Sequence, residues 1–205
     1  MSIKVLFVHG GTLEKAGTEA YMMNVLKYAK ENNIQIDFLV FGCTPGFYDE
    51  KVLKMNSKIF RIPYRPIDLK YKEDSIKTIK RKIKKENYDI VHSHMNALNH
   101  LVFRQMKKLG IKNFVSHSHA SKHFVENKAI IHFKEKQKTK IKDDTKVLLA
   151  CSQEAGEFLY QDQKFTIIKN GIDVQRFALN PSKRNEIRKE LQIEEEEESA
   201  VNLAV

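Results

Sequence analysis

Three short apolar runs, each closed by histidine, constrain this chain more than any other feature. The first is Ile3-Lys4-Val5-Leu6-Phe7-Val8, ending in His9-Gly10-Gly11. The second is Tyr88-Asp89-Ile90-Val91, ending in His92-Ser93-His94. The third is Lys112-Asn113-Phe114-Val115, ending in Ser116-His117-Ser118-His119. Each is rich in β-branched and aromatic residues, has the length of a strand, and precedes a stretch of helical period. Strands alternating with helices predict an α/β fold with a parallel sheet, because parallel neighbours require a crossover. All strands of such a sheet point one way. The three histidine ends therefore fall on one edge, the edge at which open α/β sheets bind ligands.

The 205 residues suit one domain, or one domain and a fragment of another. At 41% hydrophobic and 30% charged, the chain can bury a core. Its formal charge of +10 favours anionic partners, although a lysine-rich solvated surface explains the charge as well. Cys43 and Cys151 are far apart and lack metal-like spacing, which fits a reducing, cytoplasmic setting. No stretch has the features of a signal peptide or the length of a membrane span, so neither is expected.

Along the chain, a glycine-bearing loop from Gly10 to Gly17 leads to a helix expected to start near Thr18 as N-cap. Met22, Val25, Leu26 and Ala29 give that helix its apolar stripe, and Asn32-Asn33 ends it. Further strands are expected at 34–41, 58–62, 146–150 and 165–169. Further helices are expected at 96–108, 127–142, 152–160 and 181–192, besides a basic helix over 70–87. In the last, Ile76, Ile79 and Ile83 share a face, and Lys77, Lys80, Lys84 and Lys85 lie among the rest. That pattern suits a surface helix, or one that touches anionic lipid. Glu194 to Glu198 is an unbroken acidic run, expected to be poorly ordered.

The chemical motifs are sparse. Two His-x-His pairs with His9 nearby raise the question of zinc, since three imidazoles can hold it. No metal is expected, because neither pair has an acidic neighbour to orient a ring. His92 and His94, two apart on a strand, should point to the same face. There is no Walker loop, no dinucleotide fingerprint and no nucleophile elbow. The basic stretches lack interleaved aromatics, so nucleic acid is not an expected partner. At Ala16-Gly17-Thr18-Glu19, Gly17 would let backbone approach a ligand, and the amides beyond it would face an anion. An ordinary strand-to-helix turn explains that step equally well.

Taken in order, Ala16-Gly17-Thr18-Glu19-Ala20-Tyr21, Asp89-Ile90-Val91-His92-Ser93-His94-Met95-Asn96, Ser116-His117-Ser118-His119, Ala150-Cys151-Ser152 and Asn170-Gly171-Ile172-Asp173 resemble the acceptor-side half of family 4 glycosyltransferases of the GT-B fold. Phe177 and the stretch Ile187-Arg188-Lys189-Glu190-Leu191 fit too. The likeness runs from Ile3 to about Ile193 and is greatest to bacterial enzymes of capsular and surface polysaccharides. It implies a Rossmann-like domain over 1–193, with about seven strands ordered 3-2-1-4-5-6-7, forming half of a GT-B fold. It also implies retaining transfer from a nucleotide-sugar to a saccharide or lipid-linked acceptor, with no cofactor and no metal. The substrate-binding residues it implies are Gly11, Ala16, Gly17, His94, Asn96 and His119, with no catalytic group in this half. His119 would touch the transferring sugar. The family's usual glycine pair is Ala16-Gly17 here, and its Asn after the histidine is Ala120.

Residues 194–205 do not resemble the start of a donor-binding domain. The expectation is therefore a half-enzyme, inactive alone, and cytoplasmic with peripheral contact at the inner membrane face. Two other readings are a non-catalytic interaction domain that pairs with a separate donor chain and, with less support, a nucleic-acid binder using the basic helices.

Overall fold

The computed structural model describes residues 2–63, 81–172, 174 and 178–193. Seven strands form one parallel sheet in the order β3-β2-β1-β4-β5-β6-β7. They are β1 (Ile3–His9), β2 (Ile34–Phe41), β3 (Ile59–Ile62), β4 (Ile90–Ser93), β5 (Asn113–Ser118), β6 (Val147–Ala150) and β7 (Thr166–Ile167). The expected α/β class, parallel sheet and strand order all hold. The order reverses between β1 and β4, which pair directly, Val5 with Ile90 through Val8 with Ser93. A crevice at such a reversal is where ligands enter doubly wound sheets.

Alternation along β1 divides its side chains between two cores. Leu6 and Val8 pack with Val91, Phe114 and the helix α3 (Asn99–Lys107), through its Val102, Phe103 and Met106. Val5 and Phe7 face the other way, onto Phe38 and Val40 of β2, onto Tyr21, Met22 and Leu26 of α1 (Gly17–Glu31) and onto Val52 of α2 (Asp49–Lys54). Both faces of the central strands are thus buried, which explains their near-continuous apolar runs. A third cluster joins β6 to α5 (Gln153–Tyr160) through Leu148, Ala150, Ala155 and Leu159.

Some boundaries differ from expectation, for local reasons. The N-cap of α1 is Ala16, not Thr18, and it makes no side-chain capping bond. Ala16 N–H donates to the Glu14 carbonyl, and the Ala16 carbonyl already accepts from Ala20 N–H at 2.9 Å, so the helix is committed two residues early. The helix expected from Asn96 opens with a 3-10 turn over Asn96–Leu98, because Asn96 sits at φ +50°, outside α geometry. Asn127 and Ser152 do cap α4 (Lys128–Lys138) and α5, each accepting from backbone amides of the first turn. The helix expected through Lys142 stops at Lys138, and a separate 3-10 turn covers Ile141–Asp143. β7 spans two residues, fewer than expected.

Of the basic stretch 70–87, residues 70–80 lie outside the described residues, including Ile76, Ile79, Lys77 and Lys80. Residues 81–83 are helical, Ile83 is buried, and exposed Lys84 and Lys85 lie in a 3-10 turn ending at Asn87 in the left-handed region. Asp173, Phe177 and the acidic tail 194–205 also lie outside the described residues. The chain divides into two compact units, Met1–Gly171 and Ile172–Val205. The second carries α6 (Pro181–Glu190), which starts with Asn180 accepting from Lys183 N–H and proline in its first turn, as helix starts favour. Ile187 on this helix and Leu191 at its C-cap are exposed. No described helix is long and apolar enough to cross a membrane.

Candidate active site

The carboxyl ends of β1, β4 and β5 bring five histidines to one place. His94 follows β4, and its N–H donates to the Val8 carbonyl of β1 at 2.8 Å, fixing it beside the first strand. Two-residue alternation puts His92 and His94 on one face, stacked with ring centroids 4.4 Å apart. His117 and His119 stack likewise at 4.1 Å. The two stacks then meet: His92 Nε2 lies 3.2 Å from His117 Nδ1, and His94 Nδ1 lies 2.8 Å from His119 Nε2. In each pair one ring donates and the other accepts, which two neutral imidazoles can do.

α1 closes this face. The Tyr21 ring meets His117 edge-on at 4.9 Å and lies 5.6 Å from His119. Glu19, buried in the first turn of α1, pairs with His9 Nε2 at 3.2 Å. Burial opposes the charge on Glu19, yet the His9 contact and nearby backbone N–H groups hold its carboxyl below the ordinary range.

Burial is also the main reason the imidazoles are neutral. It pushes His92 and His117 down to about 3, reinforced by nearby His119 for His92 and by His92 for His117. It pushes His119 down to about 3, aided by His117 and His9 and opposed by Glu19. His94 is also held well below its ordinary value, first by burial and then by its histidine neighbours. Neutral rings at this edge offer hydrogen-bond donors and acceptors without charge. Nδ1 of His119 and Nε2 of His94 have no partner within the protein.

The structure brings three of the six expected site residues, His94, Asn96 and His119, into one place. Asn96 accepts the His119 N–H with Oδ1 at 2.9 Å, joining β5's end to the turn after β4. His94, Asn96 and His119 therefore form one constellation. Gly11 lies beside His9, where a Cβ would stand 3.9 Å from His9 Nε2. Ala16 and Gly17 lie at the start of α1, the helix that carries Glu19 and Tyr21 into the cluster. A Cβ on Gly17 would meet nothing within 4 Å. Its lack of a side chain is not required by packing, and it leaves open space before the uncapped first turn.

Below the rings, a buried polar network holds the strand ends in register. Asn99 accepts Met95 N–H at 2.9 Å and donates to Ser116 Oγ at 2.6 Å. Ser116 Oγ lies 3.0 Å from Tyr160 Oη, which also reaches the Leu149 carbonyl at 2.8 Å. Sequence reasoning missed Glu19 as a partner of His9, Tyr21 as the wall of the cluster, and Asn99 as its support. Only Glu19 left a signal, as an acidic residue placed early in a helix that follows a histidine-ended strand.

Known proteins show the same arrangement of chain. The family model described as Glycosyltransferase Family 4 matches residues 16–176. A curated Bacillus subtilis (strain 168) protein named "Putative glycosyltransferase EpsF" is 25% identical over 188 residues, covering 86% of this chain and 47% of that protein. A glycosyltransferase from Rickettsia africae ESF-5 superposes with a TM-score of 0.69 at 18% identity, over 95% of this chain and 51% of that one. Anabaena Alr3699/HepE, solved with UDP and glucose, gives 0.63 at 13% identity, over 92% and 50%. The chain thus spans about half the length of these relatives, and the solved structures share the fold of GT-B glycosyltransferases.

Proposed function

The chain belongs to Glycosyltransferase Family 4, and from that premise we propose that it forms the acceptor side of a retaining glycosyltransferase that moves sugar from a nucleotide-sugar to a growing surface polysaccharide. The observation that carries this reading is the coupled pair His94 and His119 at the sheet's carboxyl edge, 2.8 Å apart, with Asn96 anchoring the His119 amide. His119 presents Nδ1, which has no protein partner, and a sugar hydroxyl or carbonyl can satisfy it. His94 fixes the ring from the other side. The role is positioning: it orients the donor sugar against the acceptor, and misplacement alone can cost about 100-fold in rate. The loop from Gly10 to Gly17 and the uncapped start of α1 supply backbone N–H groups toward the donor phosphates.

A nucleotide-sugar donor is in keeping with the UDP bound by the Anabaena relative. The donor is a substrate, so the reading needs no cofactor. A lipid-linked acceptor would bring the domain to the inner face of the cytoplasmic membrane, where exposed Lys84 and Lys85 favour anionic lipid. Turnover requires a donor-binding half, and the described chain alone is expected to transfer little sugar.

The test joins this chain to the donor-binding half of EpsF and follows transfer from nucleotide-sugars. His119→Ala should lower turnover about 100-fold with the melting temperature nearly unchanged. His117→Ala, which empties a fully buried position, should lower the melting temperature first. Full turnover in the His119→Ala fusion would remove the site assignment. Failure of every unsubstituted fusion to transfer sugar would favour a non-catalytic module.

A further inference from the structure

Sugar positioning uses His94 and His119 and leaves His92 and His117 without a task. Those two rings face each other across β4 and β5, Nε2 to Nδ1 at 3.2 Å, nearly coplanar at 9°. His94 stacks on His92, and one ring nitrogen from each of His92, His94 and His117 lies within 4.8 Å of the other two. His94 and His117 are buried, and each has an Nε2 with no partner in the protein. Buried polar atoms of this kind call for a water or an ion.

We propose that His92, His94 and His117 form a binding site for a divalent transition-metal ion of the zinc class, with His119 outside it holding the ring of His94. Zinc binds imidazole nitrogen at about 2.0–2.1 Å, so two such nitrogens on a tetrahedral ion lie about 3.4 Å apart. The His92–His117 spacing of 3.2 Å nearly matches that value. The coplanar rings are aligned for an N–H···N bond. The ion takes the place of the shared proton. That proton moves by tautomerisation to the far nitrogen of the ring that carried it, Nε2 where that ring is His117, so both rings stay neutral. A tilt of both rings then turns their lone pairs toward the ion. The third nitrogen must close by up to about 1.4 Å, from 4.8 Å to the tetrahedral spacing. Rotation of His94 supplies this, since its Nε2 gives up no bond. His119 then serves as the outer partner that fixes a ligand imidazole's tautomer.

The site also has an entrance. His92 lines an apolar cleft of about 520 Å³ between α1 and the exposed part of the β1–β4–β5 face, bounded by Val5, Tyr21, Val25, Ile90 and Val115. An ion can enter there and keep a water as fourth ligand, the arrangement of open zinc sites. Three imidazoles suit zinc, copper, iron and nickel but not magnesium or calcium, which prefer oxygen. With no thiolate or carboxylate among the ligands, micromolar affinity is expected.

The readout is metal binding alone and does not depend on sugar transfer. Untagged chain, stripped with EDTA, is titrated with Zn²⁺ by calorimetry and with Co²⁺ by its visible d–d absorption. One ion per chain, tetrahedral cobalt bands and a zinc-dependent rise in melting temperature are expected. His92→Gln and His117→Gln should each weaken binding about 100-fold or more, while His132→Gln, on an exposed position of α4, should not. Circular dichroism shows whether each variant is folded, and His92→Gln at the cleft keeps the test alive if buried His117→Gln is not. No stoichiometric binding at 100-fold excess zinc, binding that survives both substitutions, or binding lost only with Cys43→Ser and Cys151→Ser would overturn the proposal.

Discussion

Lowering the pH from about 7 to about 5.5 should remove a large share of this domain's stability, through its imidazoles rather than its carboxylates. His92, His117 and His119 are held down at about 3 in the fold, and His94 is held well below its ordinary value, all chiefly by burial. An unfolded chain returns each to about 6.5. Between those values the unfolded state binds protons that the folded state refuses, so stability rises with pH. The stability is fully present above about 6.5 and is lost progressively as the pH falls toward 3. The groups facing the rings are His9 from β1 and Glu19 and Tyr21 from α1. Glu19 alone among them favours a charged His119, and its own carboxyl titrates below this window. Each imidazole contributes on the order of 1 kcal/mol between pH 7 and 5.5, or about 4 kcal/mol for four. A typical domain has only about 5–15 kcal/mol in total. Urea unfolding followed by circular dichroism at pH 7.0, 6.0 and 5.5, with EDTA present, measures the slope. Replacing His92 and His117 together by Gln should roughly halve it. Equal stability at pH 7.0 and 5.5 would mean that the rings take up protons in the fold, and the neutral cluster would be refuted.

Asn96→Ala should cost about 2 kcal/mol, because alanine resists φ +50° and the His119 N–H loses its acceptor; Asn96→Gly should recover only the backbone part, as urea midpoints would show. Tyr160→Phe should destabilise by about 1–3 kcal/mol, since its hydroxyl serves both Ser116 and the Leu149 carbonyl in the interior. Gly46→Ala should lower the melting temperature markedly, because the new Cβ would stand 2.5 Å from Leu13 N and 2.7 Å from its carbonyl oxygen, and backbone cannot yield as a side chain can.

Where the sequence is dominated by apolar residues, the fold can be read from it. β2 has the expected bounds, Ile34–Phe41, because all but its first two residues are buried and Asp37 is the one polar residue among those buried. Asp37 itself is satisfied by the Tyr88 hydroxyl at 2.7 Å. The strand order is legible for a different reason: the family resemblance, together with the switch-point rule for doubly wound sheets, implies it. Element ends are less legible, because packing settles them. Phe165 was expected to begin β7, but its ring packs against Gly156 of α5, and a Cβ on that glycine would lie 2.1 Å from Phe165 Cε2. The ring therefore helps close the third core rather than extend the sheet. Thr18 has the chemistry of a cap, yet the backbone bonds of Ala16 start the helix before it.

The site divides along the same line. That His92 and His94 share a face follows from strand periodicity, and so does the pairing of His117 with His119. Which imidazole meets which does not, because it depends on the register of β4 against β5. That register sets His92 opposite Val115, an offset of 23 residues. Both histidine contacts span 25 residues, so each ring reaches one two-residue step diagonally across the ladder. A slip of the register by one residue would turn one whole pair to the other face, where Leu6, Val91 and Phe114 are packed. The register is itself pinned by Asn99, Ser116 and Tyr160, which lie beneath the rings and have no contact with a substrate in this reading. The chemistry at the carboxyl edge therefore depends on a buried polar network that no short motif announces, and only the three-dimensional pairing of β4 with β5 reveals it.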